Sequence, residues 1–346
     1  MPNVLAIETS CDETSCAVAR DGRHVLSNVT STQEAIHRRF GGIVPEVASR
    51  EHLVTIVPVL EEAVEQAGGW QAIDAVAAVY GPGLAGSLLV GVNVAKAIAF
   101  ARDLPLIGIN HLEGHIYANW IAEGQQRDRG QGSGNGQPPA TPDFPVMALI
   151  ASGGHTELVL MEDHGRYRSI GQTRDDAAGE AFDKTARLLG LGYPGGPAIQ
   201  QAAEGAAGSS IGLPRAWMPN SYDFSFSGLK TAVLRLTSAA HEDSAAWTAA
   251  VAAEFQQSIV DVLVGKTVRA AEAFGAASVC LAGGVAANKP LREQLRAALD
   301  VPFYCPRISL CTDNAAMSAA AGYFHLLRRD FASLDLDVVP GLRLAA

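Results

Sequence analysis

A chain of 346 residues is long enough for two domains of ordinary size. Hydrophobic residues make up 48% of it and charged residues only 18%, against roughly 25% charged in common soluble domains, so some apolar surface is expected to await a partner. With 26 Lys and Arg against 36 Asp and Glu the formal net charge is −10, which excludes generic polyanion binding unless the basic side chains are gathered on one face.

Met1-Pro2-Asn3 carries no basic leader and Glu8 interrupts the first apolar run, so neither a signal peptide nor a membrane span is expected. Val4 to Thr9 reads as a buried strand, Ser10 to Thr14 as its turn and Ser15 to Arg20 as the returning strand, a hairpin with hydroxyls and acids at its tip. Helices follow at Glu51 to Ala67 and Ser87 to Arg102. Gly81-Pro82-Gly83, just ahead of the second, is either a plain turn or a backbone rim that brings a helix N-terminus near negative charge. Gln125 to Pro142 is rich in Gly, Gln, Ser, Asn and Pro with no apolar periodicity and reads as a flexible insertion at the domain boundary. The hairpin grammar then recurs: Val146 to Ile150, the turn Ser152 to Thr156, and a return over Glu157 to Leu160. Further helices are expected at Gly179 to Leu189, Ala245 to Phe274 and Leu291 to Ala298, with Ser278 to Leu281 a short buried strand before Gly283-Gly284. Two such hairpins, each opening a region of alternating strands and helices, suggest a duplicated α/β domain with the active cleft between the copies.

His111 and His115 stand one helical turn apart, on one face if His111 to Ala118 begin a helix, where both can ligate one ion at about 2.0 to 2.1 Å. Such a pair also arises by chance, and Asp313 in Cys311-Thr312-Asp313-Asn314 adds a carboxylate at a strand-to-helix junction. A zincin site would need Glu directly after the first His, and Leu112 stands there; Glu113 is expected to face elsewhere on the helix. In Ser152-Gly153-Gly154-His155-Thr156 the adjacent glycines let backbone N–H groups approach an anion, although a tight hairpin would use them too. Asn288, after Gly283-Gly284, is placed either to bond a base or ribose or to cap the next helix. Asp183 and Lys184 fall inside a helix of mainly small and apolar residues, where a charge needs a partner or a function, and Asp183 suits hydroxyl donors.

His37, Arg38 and Arg39 read as a solvated basic face that could also meet phosphate, and His24, His164, His241 and His325 as isolated packing or surface residues. The five cysteines, Cys11, Cys16, Cys280, Cys305 and Cys311, are odd in number and lie mostly in apolar runs, unlike a secreted disulfide framework. A reducing, cytoplasmic location is expected, with Cys11 and Cys16 as small buried residues rather than nucleophiles.

Ile7 to Thr14, Gly42 to Arg50, Gly81-Pro82-Gly83, His111 to His115, Ser152 to Thr156, Asp176 to Thr185, Ser225 to Thr231, Gly283 to Asn288 and Cys311 to Asn314 together resemble the TsaD family, formerly called Gcp and O-sialoglycoprotein endopeptidase. The resemblance runs in unbroken order from residue 4 to about residue 325. It implies an α/β, actin-like ATPase (ASKHA) fold with two RNase H-like lobes around a nucleotide and metal cleft: residues 1–122 completed by a C-terminal helix over about 313–346, an insertion over 123–143, and a second lobe over 144–312. It also implies a tRNA-modifying acyltransferase that moves a threonylcarbamoyl group from threonylcarbamoyl-AMP to N6 of the adenosine 3′ to the anticodon in tRNAs reading codons that start with A. On that resemblance His111, His115 and Asp313 hold one divalent metal per subunit, iron(II) ahead of zinc, and Ile150, Ala151, Ser152, Gly153, Gly154, Asp183, Gly196 and Asn288 bind the adenylate, or ATP or ADP. Asp12 is the expected proton acceptor at the first hairpin tip. The implied partners are tRNA, a smaller actin-like paralogue of the TsaB type and an ATPase of the TsaE type, with no membrane. The sequence departs from the family pattern at Asn110, where a third His is common, and at Ala151, where Val is common.

Three other readings compete: a metal-dependent peptidase, a non-catalytic actin-like scaffold and, more weakly, a sugar kinase of the same fold. The helices from Glu51 and Ser87 carry apolar residues beyond a single stripe, Leu53, Ile56, Val57, Leu60 and Val64 forming the stripe of the first and Val54, Val59 and Ala63 lying outside it. That excess points to a helix-on-helix interface with a second copy or with the smaller paralogue, if the helices are not simply enclosed within the chain.

Overall fold

The structure, a computed structural model, describes residues 1–122, 141–206, 211–239 and 244–345. The insertion expected over Gln125 to Pro142 falls almost entirely outside them, as does His241. The chain divides into two compact units, Met1–Pro142 with Pro306–Ala346, and Asp143–Cys305.

The first unit is built on β1 (Asn3–Glu8), β2 (Glu13–Arg20), β3 (His24–Thr32), a short α1 (Glu34–His37), α2 (Pro45–Gln66), β4 (Ala75–Gly81), α3 (Ala85–Arg102), β5 (Leu106–Asn110) and α4 (His111–Tyr117). The second holds β6 (Val146–Ala151), β7 (Thr156–Asp163), β8 (Arg166–Gln172), α5 (Ala178–Leu188), α6 (Gly195–Ala203), α7 (Ser227–Ala239), α8 (Ala245–Ala273), β9 (Ser278–Ala282), α9 (Lys289–Ala298) and β10 (Phe303–Tyr304). The chain then returns to the first unit as α10 (Ala315–Arg328). The strand orders β3-β2-β1-β4-β5 and β8-β7-β6-β9-β10 are the same plan twice. In each, a central strand pairs antiparallel with its hairpin mate and parallel with the strand that follows a helical crossover. Such a central strand has both faces covered and must be apolar throughout, which Val4-Leu5-Ala6-Ile7 and Val146 to Ala151 are, with every one of these side chains fully buried.

The edge strands β3 and β8 escape sequence reading because half-exposed positions mix polar residues into them. The C-terminal segment is a helix only as far as Arg328, since Arg329 turns left-handed with φ 56°. Beyond it the chain runs back across the sheet, Ala332 N–H donating to Leu106 O at 2.8 Å and Val339 N–H to Tyr80 O at 2.8 Å.

The inward face of α2 runs through His52, Ile56, Val59 and Ala63, the spacing of a 3.6-residue period, joined by Leu60 and Val64. Val59 and Ala63 therefore belong to the core, whereas Leu53, Val54 and Val57 are 66%, 69% and 53% exposed. Helix α3 is apolar enough, with mean hydropathy 1.3, to match a membrane span in length and composition. It nevertheless buries Leu88, Val92 and Ala95 within the first unit and leaves Leu89 and Phe100 exposed. The basic cluster divides: Arg38 and Arg39 are exposed, but His37 is completely buried and bonded to Gln33 and to the N–H of Val44. His37 is thus not part of a solvated face.

Candidate metal centre and nucleotide loops

In the first unit Asn110 ends β5 and caps α4, its side-chain oxygen accepting the N–H of Leu112 at 2.9 Å. A cap there starts the helix at once, so His111 and His115 emerge one turn apart, their rings 4.6 Å between centroids. Asp313 comes from the turn before α10, where Asn314 caps through Met317 N–H. Its Oδ1 lies 3.5 Å from Nε2 of His111 and 3.2 Å from Nε2 of His115, and one donor atom from each residue falls within 4.8 Å of the others. Both imidazoles are buried, and neither ring nitrogen of His115 makes a hydrogen bond. A buried polar atom left so is costly, and two imidazoles with a carboxylate are a donor set suited to a divalent transition metal. The residues fit the ion that the sequence resemblance implies. Burial alone would lower the His111 pKa, but the carboxylates of Asp313 and Glu8 outweigh it and raise it to about 9.

The β1–β2 turn closes over this group. Burial first, then the carboxylates of Asp313 and Asp12, push Glu13 up to about 10, and Asp12 hydrogen-bonds to it. Burial, then the carboxylates of Asp12, Asp313 and Glu13, hold the Cys11 thiol well above its usual range. Asp12 is where the sequence places it, at the acidic tip and nearly buried, but Glu8, Ser10 and Glu13 receive no role from sequence alone. Glu113, expected to face away from the metal helix's work, is buried too and bonds Nε2 of His325 at 2.9 Å. The Glu113 bond ties α4 to α10, and His325 also reaches Asp330 at 2.8 Å through Nδ1, which corrects the reading of His325 as isolated.

The second unit gathers the glycine turns. Ser152 O accepts the N–H of Gly179 at 3.1 Å, bringing the β6–β7 turn onto the start of α5. Asp183 Oδ1 accepts the N–H of Gly195 at 2.7 Å, which fixes the entry to α6 beside the middle of α5. Lys184, its neighbour, pairs with Asp176 and Glu180. A Cβ on Gly283, where φ is +88°, would lie 2.4 Å from Ala151 O, so the β9 turn presses directly on the end of β6. By contrast a Cβ on Gly153, Gly154, Gly196 or Gly284 would meet nothing within 4 Å, so open space lies on the Cβ side of each. Ile150 and Ala151 are completely buried ladder residues of β6, so their side chains face the core and the open turn begins at Ser152. Asn288 caps α9 through Leu291 N–H at 3.0 Å and donates to Gln256 at 2.8 Å, so both ends of its amide are engaged within the protein.

The model of the family described as TsaD, tRNA N6-adenosine threonylcarbamoyltransferase, matches residues 24–320. The chain belongs to the TsaD family. Curated relatives called tRNA N6-adenosine threonylcarbamoyltransferase include that of Thermomicrobium roseum, 56% identical over 97% of this chain and 95% of its own length. That of Geobacillus kaustophilus is 53% identical over 99% and 96%. Among solved structures, T.kodakarensis HypF aligns with a TM-score of 0.62 at 14% identity, covering 95% of this chain and 48% of its own. Component A of the Acidaminococcus fermentans (R)-2-hydroxyglutaryl-CoA dehydratase gives 0.50 at 14% identity, covering 93% and 98%. At such identities the likeness concerns the fold alone, the actin-like ATPase fold that the repeated sheet order already indicates. TsaD membership makes this chain a transferase and sets aside the peptidase, scaffold and sugar-kinase readings.

Proposed function

We propose that this chain transfers the threonylcarbamoyl group of threonylcarbamoyl-AMP to N6 of the adenosine 3′ to the anticodon, in tRNAs reading codons that start with A. The carrying observation is the group of buried His111 and His115 with half-buried Asp313 in a chain 56% identical to a relative named for that transfer. His111, His115 and Asp313 would hold one divalent cation, iron(II) ahead of zinc, which when bound supplies Lewis-acid stabilisation of developing negative charge.

The remaining tasks fall to the protein. Adenine N6 is a poor nucleophile because its lone pair is delocalised, whereas a carbamoyl-AMP mixed anhydride is already activated. Positioning both partners and stabilising charge therefore suffices, without a protein nucleophile. The turn from Ser152 to Gly154, together with Gly196, suits the phosphate and ribose of the adenylate, or of ATP or ADP, with open space on the Cβ side of the three glycines, and Asp183 acts by holding Gly195 in place. Asp12, hydrogen-bonded to the raised carboxyl of Glu13, takes the proton that N6 loses. Mass spectrometry of tRNA nucleosides from cells depleted of the protein tests the reading. Loss of threonylcarbamoyl adenosine is the expected result, and an unchanged peak would refute it.

The protein works in the cytoplasm with tRNA and with two partners, a smaller actin-like paralogue of the TsaB type and an ATPase of the TsaE type. The paralogue docks on the exposed apolar residues of α2 and α3, Leu53, Val54, Val57, Leu89 and Phe100. A Leu53→Glu, Val57→Glu double variant should lose co-elution with the paralogue and keep its melting temperature. Val59→Glu, which forces a charge into the core, should cost ~3 kcal/mol or more of stability. Unaltered assembly and modification by the double variant would count against this face.

A further inference from the structure

Glu8 is the last residue of β1, and its side chain is completely buried. An enclosed carboxylate is unfavourable without a partner, and among the described residues its ion-pair partner is neither lysine nor arginine but the imidazole of His111. Its two oxygens have different tasks. Oε1 accepts the backbone N–H of Ser10 at 2.8 Å, while Oε2 lies 3.1 Å from Nδ1 of His111 and 3.5 Å from Oγ of Ser318. Ser10 Oγ approaches the same Nδ1 at 3.1 Å. With Nδ1 turned to these oxygens, Nε2 is the nitrogen left on the Asp313 side.

The internal duplication separates this acid from the needs of the fold. Strand β6 is the counterpart of β1: six residues long, at the same place in its sheet, and paired residue for residue with its own hairpin mate. Where β1 ends in Glu8, β6 ends in Ala151, equally buried. A strand of this kind therefore does not require a terminal carboxylate. The acid occurs in the unit that also carries the group of metal-ligand residues found among the described residues. The two histidines differ as well, because His115 has no hydrogen-bond partner at Nδ1 or Nε2.

We propose that Glu8 is a positioning residue of the metal centre: acting through His111, it holds the proton on Nδ1 and so directs Nε2 to the cation. This rests on the assignment of a metal to His111, His115 and Asp313. A carboxylate behind a ligand imidazole fixes its tautomer and orientation, and loss of such a partner costs about ten- to a hundredfold in metal affinity. Glu8→Gln is a sharp probe because glutamine has one acceptor where two are used. If its oxygen serves Ser10 N–H, its NH2 group faces Nδ1 and favours the tautomer with the proton on Nε2, which blocks ligation. If its oxygen serves His111 instead, NH2 meets the Ser10 N–H donor to donor.

The experiment measures zinc affinity of the full chain by competition with a chromophoric chelator, for wild type and Glu8→Gln. Alongside it, histidine ring nitrogens of the zinc-loaded wild type are assigned by 15N NMR. The variant should bind zinc about ten- to a hundredfold more weakly, and wild-type His111 should coordinate through Nε2 with its proton on Nδ1. Equal zinc affinity in the variant, or coordination of His111 through Nδ1, overturns the role of Glu8 and leaves the metal assignment standing. A wild type that binds neither zinc nor iron(II) overturns both. If Glu8→Gln does not fold, the wild-type ring assignment decides alone.

Discussion

His111→Ala and His115→Ala are each expected to abolish bound metal and to reduce tRNA modification at least about a hundredfold, equivalent to ~2.7 kcal/mol of transition-state stabilisation. The reason is the small donor set. One atom from each of three residues lies within 4.8 Å of the others, so losing one imidazole would leave two protein donors where catalytic metal sites keep three. The fold should survive both changes. His115 makes no hydrogen bond through its ring, so alanine there removes two unsatisfied buried atoms at the expense of a small cavity. Metal content by elemental analysis, thermal melting of the metal-free protein and nucleoside analysis are to be measured on the same samples. Full metal occupancy and full activity in either variant would remove that residue from the site.

Gly283→Ala should be among the most damaging single-methyl additions in the second unit. At φ +88° an alanine is strained, which costs roughly 1 to 3 kcal/mol. Its Cβ would also stand 2.4 Å from Ala151 O and 2.8 Å from Ala151 C, backbone atoms of a central strand that cannot yield. Overpacking of that kind adds roughly 1 to 3 kcal/mol, and the sum is a large part of the ~5 to 15 kcal/mol that stabilises a typical domain. Gly284→Ala, one residue on, meets nothing within 4 Å and should change stability by no more than about 0.5 kcal/mol. Urea melts of the two variants against wild type make the comparison, with calorimetric titration of an adenylate analogue to follow the proposed adenylate site. A Gly283→Ala protein as stable as wild type would mean that the β9 turn does not press on β6 as described.

The parts of the fold that sequence reveals are those whose pattern is local. Val4 to Ile7 and Val146 to Ile150 are apolar at every position because central strands are enclosed on both faces, and their hairpin mates follow within a few residues. His111 and His115 are legible for the same reason, a fixed spacing on one helical turn. Glu8 is not. Its meaning depends on β1 and β5 flanking β4, which brings residues 103 positions apart to 3.1 Å, and nothing in the first hairpin announces that neighbour. On α2 the apolar excess hides the phase of the helix: Val57 and Val59 are alike in sequence, yet one is exposed and the other is core. Asn288 offered ligand contact or capping, and its cap and its bond to Gln256 occupy the amide from both ends.

Threonylcarbamoyl transfer by this chain is proposed to use the His111, His115 and Asp313 centre. It is tested most directly in a purified reaction of the metal-loaded protein, the two proposed partners, threonylcarbamoyl-AMP and an unmodified tRNA reading a codon that starts with A, followed by mass spectrometry of the nucleosides. Threonylcarbamoyl adenosine is expected in amounts that rise with time, depend on this protein and vanish when Asp313 is replaced by alanine. Product formed at the same rate without the chain, or with Asp313→Ala in its place, would contradict it.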